Sequence, residues 1–137
     1  ISGDVDLGDI AIWGGLMTAG CVANKLEATI LNGGVRDEGE IRRDYDYPVF
    51  AKSSVPGTTL GRYKTIASMV PVRIGDVVIN PGDIIFGDID GVVVIPQAFA
   101  EPVLKEALSI DSRETEQAKL ILSTGSLREG LAKYGRI

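Results

Sequence analysis

An arginine stands directly beside an aspartate in NGGVRDEGE, residues 32–40, where an apolar run has just ended. The guanidinium of Arg36 is a planar fork of donors that suits a carboxylate. The carboxylate of Asp37 can ligate a hard divalent cation through oxygen. The pair therefore predicts a site that holds a small anion and a metal ion together. The alternative is a surface salt bridge, which would contribute little to stability.

The pair Gly14-Gly15 in WGGLM is a second feature with chemical potential. The apolar spacing that follows predicts a helix beginning near these glycines. The first N–H groups of a helix, here those of Leu16 and Met17, lack intrahelical acceptors and lie at the positive end of its dipole, so they can bind an anion. Close packing would explain the glycines equally well, and spacing alone does not decide between the two interpretations.

Two features of the composition limit the possible chemistry. The chain has no histidine, which excludes Ser-His and Cys-His nucleophiles and histidine-ligated metals within it. A metal ion would therefore have oxygen ligands, which favours Mg²⁺, Mn²⁺ or Ca²⁺. The single cysteine, Cys21, cannot form an internal disulfide, as is typical of a reducing compartment, and we expect a cytoplasmic protein.

The charge and length limit the possible partners. The net charge of −5, with scattered Lys and Arg, argues against nucleic acid, because phosphate backbones need a basic stripe. No apolar run reaches membrane-spanning length, so we expect no membrane association. The 137 residues are enough for one domain. The opening ISGDV reads as the end of a strand, and we expect a domain over 1–137 that lacks its N-terminal part.

The first half of the chain mixes strand and helix signals. Strands are predicted at 28–31 and 47–52, with residues 32–34 as the turn that ends the first of them. A short charged helix is predicted over 38–43. Trp13 and Met17 are expected in the core, and Cys21, at helical spacing from Met17, is expected to be buried.

The second half divides into short strands, antiparallel or mixed, and helices. Short β-branched runs separated by Gly-Asp and Pro-Gly turns predict strands between 69 and 96, with the aspartates of these turns bonding nearby amides. Beyond residue 96 the pattern is helical, with an apolar stripe formed by Val103, Leu104, Ala107, Leu108, Ala118, Ile121 and Leu122. Ser126 and Gly135 are predicted to cap the last helix. The whole is predicted to be one α/β domain.

Four motifs in order, WGGLM, NGGVRD, YPVFA and PVRIGDVVINPGDIIFGDIDGVVVIP (71–96), resemble the RraA-like family. That family includes class II 4-hydroxy-4-methyl-2-oxoglutarate/4-carboxy-4-hydroxy-2-oxoadipate aldolases and the RNase E regulator RraA. The resemblance covers nearly the whole chain. It implies a swivelling β/β/α-type domain with mixed sheets and C-terminal helices, assembled as a homotrimer or a dimer of trimers with its pocket at the subunit boundary.

The resemblance also implies roles for particular residues. Asp37 would ligate Mg²⁺ or Mn²⁺, and Arg36 would bind the carboxylate of pyruvate, helped by the amides of Leu16 and Met17 after the Gly14-Gly15 pair. A glutamate of a neighbouring subunit, Glu114 or Glu116, would reach the water shell of the metal. The substrate would be a small 2-oxo acid.

Gly15 departs from the family pattern, which usually has an acid before the LM pair. The departure predicts weak metal binding or lost aldolase activity. Two functions therefore stay open. One is a metal-dependent lyase that cleaves a 4-hydroxy-2-oxo dicarboxylic acid to pyruvate and a keto acid, with oxaloacetate decarboxylation as a possible further activity. The other is a non-catalytic regulator that binds a protein such as RNase E.

Overall fold

The computed structural model of the protein describes residues 1–2 and 7–136 and shows a mixed α/β fold, as predicted. The described elements are β1 (Leu7–Trp13), α1 (Gly15–Ala23), β2 (Thr29–Ile30), β3 (Gly33–Val35), α2 (Glu38–Glu40), β4 (Val49–Phe50), β5 (Ser53–Ser54), β6 (Val72–Ile74), β7 (Val77–Ile79), β8 (Ile84–Asp88), β9 (Gly91–Ile95), α3 (Ala100–Thr124) and α4 (Leu127–Tyr134). A π-helical turn, Ile41–Tyr45, continues α2, and a 3₁₀ turn, Gln97–Phe99, precedes α3.

Parallel strands organise the first half of the chain. β1, β3 and β5 form one sheet in the order β1-β3-β5, and β2 pairs with β4 in a second sheet. The carboxyl ends of parallel strands meet at one edge of a sheet, which is where α/β proteins commonly place ligand sites. Helix α1 follows β1 and helix α2 follows β3 at this edge, so both helices begin side by side.

The buried apolar side chains form one small cluster between residues 11 and 47. It consists of Ile12, Trp13, Leu31, Val35, Ile41 and Tyr47. Two buried threonines have hydrogen-bond partners inside it, as buried polar groups require. The Trp13 indole Nε1 donates to Thr18 Oγ1 at 2.9 Å, and the hydroxyls of Thr29 and Tyr47 lie 3.0 Å apart.

The predicted turn at residues 32–34 is wrong for its two glycines, because Gly33 and Gly34 belong to β3. The reason is close packing across the sheet. A Cβ on Gly34 would lie 2.6 Å from the side chain of Val55 and 2.8 Å from the Ile10 carbonyl oxygen. Only glycine permits that approach, so Gly34 is required by close packing within the strand and not by a turn.

The strand predicted over 47–52 is shorter in the structure, where Val49–Phe50 form β4 and β5 begins only at Ser53. Val49 and Phe50 pair with β2, and the chain then crosses to β5 beside β3. The strands predicted between 69 and 96 are confirmed, and they pair as two antiparallel hairpins, β6 with β7 and β8 with β9. Two turn aspartates bond amides as expected: Asp83 accepts from the Asn80 amide and Asp88 from the Asp90 amide, both at 2.8 Å.

The C-terminal helices follow their sequence signals. Ser126 caps α4 by accepting from the Glu129 amide at 3.2 Å, and Gly125 and Gly135 end α3 and α4. The predicted apolar stripe is on α3, but most of its larger members are exposed, with Leu104 60% and Leu122 85% accessible. None of the helices in the described part of the chain combines the length and apolarity needed to cross a membrane.

Asp37 has a left-handed backbone, with φ 63° and ψ 25°, at the start of α2. Residues with a Cβ avoid this conformation, although aspartate tolerates it better than most. The residue that the sequence predicts as a metal ligand is therefore held in a conformation that its backbone does not favour. Such local strain is often found at functional sites.

We expect Asp37→Gly to have a free energy of unfolding about 1 kcal/mol higher than Asp37→Ala, because glycine adopts the left-handed region without a steric cost. Urea unfolding measures the difference. At Glu38, which is helical, the same comparison should reverse, with glycine roughly 0.5–1 kcal/mol less stable than alanine. Equal stabilities for the two Asp37 variants would contradict the strained conformation.

Burial raises the pKa of the Tyr47 phenol above its usual value of about 10. The folded state thus keeps the phenolic proton to higher pH than the unfolded state. The associated stability is complete below about pH 10 and is lost as the pH rises through the folded-state pKa. We expect the unfolding free energy of the native protein to fall more steeply above about pH 10 than that of Tyr47→Phe. Parallel curves in urea unfolding would contradict this.

Candidate metal and carboxylate site

The ends of β1 and β3 bring the predicted site residues together. The amide of Gly15, the first residue of α1, donates to Asp37 Oδ2 at 3.1 Å. The same oxygen lies 3.5 Å from Arg36 Nε. The side chains of Arg36 and Asp37 are 42% and 40% exposed, so both remain accessible to a ligand. Asp37 is therefore hydrogen-bonded to the start of α1 in addition to its ion pair with Arg36.

Backbone pairing fixes this arrangement before any side chain acts. The Arg36 amide donates to the Trp13 carbonyl at 3.0 Å, which extends the β1–β3 ladder to the last residue before the glycines. The Ile41 amide donates to the Asp37 carbonyl at 2.9 Å and starts the helical run after β3. Ile41 is buried in the core. The short segment between these two anchors leaves Arg36 and Asp37 little freedom to move away from α1.

Gly14 is needed for the close approach of the arginine–aspartate pair. A Cβ at this position would lie 2.8 Å from Asp37 Oδ2 and 3.0 Å from Arg36 Cγ and Nε. Its backbone is extended, with φ −169°, so conformation alone would allow any residue. Close packing, one of the two interpretations of the glycines, is thus the reason for Gly14, and what packs against it is the predicted site itself.

The space beside Gly15 is filled by Glu40, a residue that was not predicted from the sequence. A Cβ on Gly15 would lie 2.5 Å from Oε1 of Glu40. The carboxylate of Glu40 therefore fills the space that an acidic side chain at position 15 would enter. The signal was its spacing, because Glu40 is the third residue after Asp37, the residue that caps α2, and side chains at these two positions of a helix start lie close together. Asp37 and Glu40 thus lie against consecutive glycines.

The predicted anion-binding amides lie in the first turn of α1. The Thr18 amide donates to the Gly14 carbonyl at 3.1 Å, whereas the amides of Leu16 and Met17 precede the first intrahelical hydrogen bond. The side chain of Leu16 is 89% exposed and that of Met17 is 46% exposed. The expectation that Met17 is a core residue is therefore wrong, whereas Trp13, 6% exposed, is in the core. Cys21 is partly buried against that core.

The two glutamates predicted to act across a subunit boundary lie on α3. Glu116 accepts from Lys119 Nζ at 2.7 Å, which lowers the pKa of the Glu116 carboxyl. No ion pair or hydrogen bond between described residues joins Glu114 or Glu116 to Arg36 or Asp37 in this chain. Their predicted role in a neighbouring site stays a prediction.

The oxygen donors at this edge suit a hard divalent cation. Mg²⁺ keeps several waters and commonly uses one or two protein carboxylates, which is what Asp37 and Glu40 offer. No group of three metal-ligating side chains occurs among residues 1–2 and 7–136. A cation here would thus bind chiefly through water and through substrate oxygens. The chemistry of the donors fits Mg²⁺ or Mn²⁺, and nitrogen and sulfur ligands are absent from this donor set.

A cavity of about 610 Å³ lies between the β2–β4 sheet and the two hairpins. Its lining is mainly apolar, with Ile30, Phe50 and Val72 among its walls, and it includes none of the residues of the arginine–aspartate site. Of the described residues that line it, Glu27 alone has a side-chain carboxylate, and none has a guanidinium that could pair with an acid. The size of this cavity therefore does not make it the more suitable place for the predicted chemistry.

Relatives share this chain over much of its length. It is 36% identical over 121 residues to Protein DlpA of Legionella pneumophila, covering 88% of this chain and 19% of that protein. It is 38% identical over 81 residues to a protein of Halalkalibacterium halodurans named "Putative 4-hydroxy-4-methyl-2-oxoglutarate aldolase", covering 57% of this chain and 36% of that protein. The chain thus spans well under two thirds of the length of these relatives.

Solved structures share its fold. An uncharacterized protein from Pseudomonas syringae pv. tomato superposes with a TM-score of 0.90 at 28% identity, covering 97% of this chain and 62% of that one. Streptomyces coelicolor RraAS2, described as an unusual member of the RNase ES inhibitor RraA protein family, superposes with a TM-score of 0.68 at 26% identity, over 87% and 59% of the two chains.

The sequence profile of one family, described as Aldolase/RraA, matches residues 2–94, a segment that contains WGGLM, NGGVRD, the described strands β1 to β8 and most of β9. The resemblance seen in the sequence is thereby confirmed, and the chain belongs to the RraA-like family.

Proposed function

We propose that this chain is a divalent-metal-dependent lyase that cleaves a 4-hydroxy-2-oxo dicarboxylic acid to pyruvate and a second keto acid, with oxaloacetate decarboxylation as a further activity. The observation that carries the proposal is the hydrogen bond of 3.1 Å between the Gly15 amide and Asp37 Oδ2, with Arg36 Nε 3.5 Å from the same oxygen. This arrangement supports a single site that would bind both a metal cation and a substrate carboxylate.

In this proposal the acidic residues bind the cation, and the arginine and the backbone amides bind the substrate carboxylate. Asp37 and Glu40 would hold Mg²⁺ or Mn²⁺ together with water, and Arg36 would grip the substrate carboxylate through its planar fork. The Leu16 and Met17 amides, at the positive end of α1, would donate hydrogen bonds to that carboxylate. When bound, the cation would supply Lewis-acid stabilisation of the negative charge that develops as the carbon–carbon bond breaks.

Glu40 would compensate for the acid that the family pattern has at position 15 and that this chain lacks. The family pattern usually has an acid at that position, and this chain has a glycine. Since a Cβ on Gly15 would lie 2.5 Å from Glu40 Oε1, an acidic group occupies nearly the same place although it comes from a different element. The charge expected beside the metal would therefore be retained, which favours catalysis over its loss.

The assembly and location belong to the same proposal. A homotrimer or dimer of trimers would let Glu114 or Glu116 of a neighbour approach the site, and a cytoplasmic location fits a single, partly buried cysteine.

A regulator that binds RNase E is the second candidate. It is favoured by the likeness to RraAS2 and by the exposed apolar side chains of α3. A calorimetric titration with purified RNase E separates the two functions. Micromolar binding that Asp37→Ala leaves intact, in a protein without lyase turnover, would favour the regulator. Turnover without such binding would favour the lyase.

We expect Asp37→Ala to reduce Mg²⁺- or Mn²⁺-dependent pyruvate release by more than about 100-fold, because substitutions of groups that merely support a ligand already cost 10–100-fold. A coupled pyruvate assay with oxaloacetate and with 4-hydroxy-4-methyl-2-oxoglutarate measures it. Turnover that persists in the presence of a chelator, or that this substitution leaves unchanged, would contradict the proposal.

We expect Arg36→Lys to raise KM about tenfold and to leave kcat nearly unchanged, because lysine keeps the charge but loses the two-pronged contact with a carboxylate. Steady-state kinetics of the same reaction measures both constants. Arg73→Lys is the matched control, since Arg73 lies on β6 and its guanidinium donates to the Asp76 carbonyl of the same hairpin. A drop in kcat without a change in KM would argue against a binding role for Arg36.

We expect Glu40→Ala to weaken Mn²⁺ binding about tenfold or more, and Gly15→Asp in the Glu40→Ala background to restore a large part of that affinity. The reason is that the two carboxylates would occupy nearly the same place. Mn²⁺ titration followed by electron paramagnetic resonance measures the affinity. Glu38→Gln, on the same helical run, controls for loss of charge. Failure of the double variant to gain affinity over Glu40→Ala would contradict the equivalence.

A further inference from the structure

A buried pair of polar side chains lies directly behind the candidate site. Thr18 is fully buried, and its hydroxyl accepts from the Trp13 indole Nε1 at 2.9 Å. The same hydroxyl donates to the Gly14 carbonyl at 3.2 Å. The indole can only donate, so the hydroxyl proton is free to point to Gly14. The direction of this short chain of hydrogen bonds is thus fixed from the core toward the glycines.

One peptide plane connects this pair to the site. The carbonyl of Gly14 and the amide of Gly15 belong to the same peptide bond, which is planar and trans. When the carbonyl is held by Thr18, the direction of the Gly15 N–H is set as well. That N–H is the group that donates to Asp37 Oδ2 at 3.1 Å. The hydroxyl of Thr18 therefore acts on Asp37 through a rigid unit.

Glycines make such a support necessary. The peptide between Gly14 and Gly15 has no side chain on either residue, so few steric contacts oppose its rotation. The Thr18 amide also donates to the Gly14 carbonyl at 3.1 Å, but it is part of the helix and would follow any movement of α1. The Trp13–Thr18 bond joins the helix to β1, whose last residue also accepts from the Arg36 amide.

We propose that Trp13 and Thr18 are positioning residues, which orient the Gly14–Gly15 peptide so that its N–H holds the Asp37 carboxylate at the metal site. For its effects on turnover and on cation affinity the inference rests on the proposed function. For its effect on the Gly15 amide it does not. Neither side chain needs to touch substrate or metal to have this effect.

The test compares Thr18→Val with native protein, because valine keeps the volume and removes the hydroxyl. We expect exchange of the Gly15 amide proton, measured by NMR on the metal-free protein, to become about tenfold faster, and Mn²⁺ affinity to fall by about the same factor. Thr18→Ser, which keeps the hydroxyl, should restore both values. In a protein with lyase activity, kcat should fall with little change in KM.

Thr29→Val is the matched control, since it removes another buried threonine hydroxyl, the one bonded to Tyr47, and touches no site residue. It should lower global stability without changing Gly15 exchange or Mn²⁺ affinity. If Thr18→Val resembles Thr29→Val in both measurements, the inference is overturned. Trp13→Phe keeps a ring in the core and serves if Thr18→Val does not fold. Unchanged Gly15 exchange in Trp13→Phe would equally overturn it.

Failure of the proposed function is recognised separately. A native protein that releases no pyruvate from any 2-oxo acid tested would end the lyase proposal. The comparison of Gly15 exchange among Thr18→Val, Thr18→Ser and Thr29→Val would still decide the positioning role, because that exchange depends on no substrate and no metal.

Discussion

The hydrogen bond from the Gly15 amide to Asp37 Oδ2 is the contact on which the site depends. It joins the residue that begins α1 to the residue that precedes α2, and so it connects the ends of two parallel strands. The other features of the site follow from it. Gly14 has no side chain because Arg36 and Asp37 occupy its Cβ position, and Asp37 adopts a left-handed backbone at the point of contact. A carboxylate that accepts from a helix amide is also stabilised by the helix dipole.

The same crowding explains which parts of the sequence could be interpreted correctly. The joint role of the arginine–aspartate pair and the glycine-flanked helix start was implied by the resemblance to the RraA-like family, because residue types and spacing alone left a surface ion pair and close packing as alternatives. Gly33-Gly34 was predicted as a turn, since glycine is equally typical of turns and of crowded strands. The difference depends on Val55 and Ile10, which pack against Gly34 from elsewhere in the chain. Local sequence contains no information about such contacts.

Glu40 shows a related limit. Its spacing from Asp37 is visible in the sequence, but its importance depends on Gly15, 25 residues earlier in the chain. A pattern that expects an acid at position 15 interprets the glycine as a loss. In three dimensions, the carboxylate of Glu40 reaches the same space from α2. A missing functional group in one element is therefore weak evidence for lost activity until the neighbouring element has been compared.

Buried side chains are distributed unevenly along the chain, and the candidate site lies in the segment that contains the apolar ones. Every buried apolar side chain of the described chain lies between Ala11 and Tyr47, which is the segment that also contains Gly15, Arg36, Asp37 and Glu40. The hairpins and α3 leave large apolar side chains exposed, including Phe86 at 64% and Leu108 at 62%. Precise placement of ligands requires side chains and peptides held by packing and hydrogen bonds. The elements from β1 to the π-helical turn meet that requirement, and the long C-terminal helix, which contacts the rest of the chain less closely, does not need to.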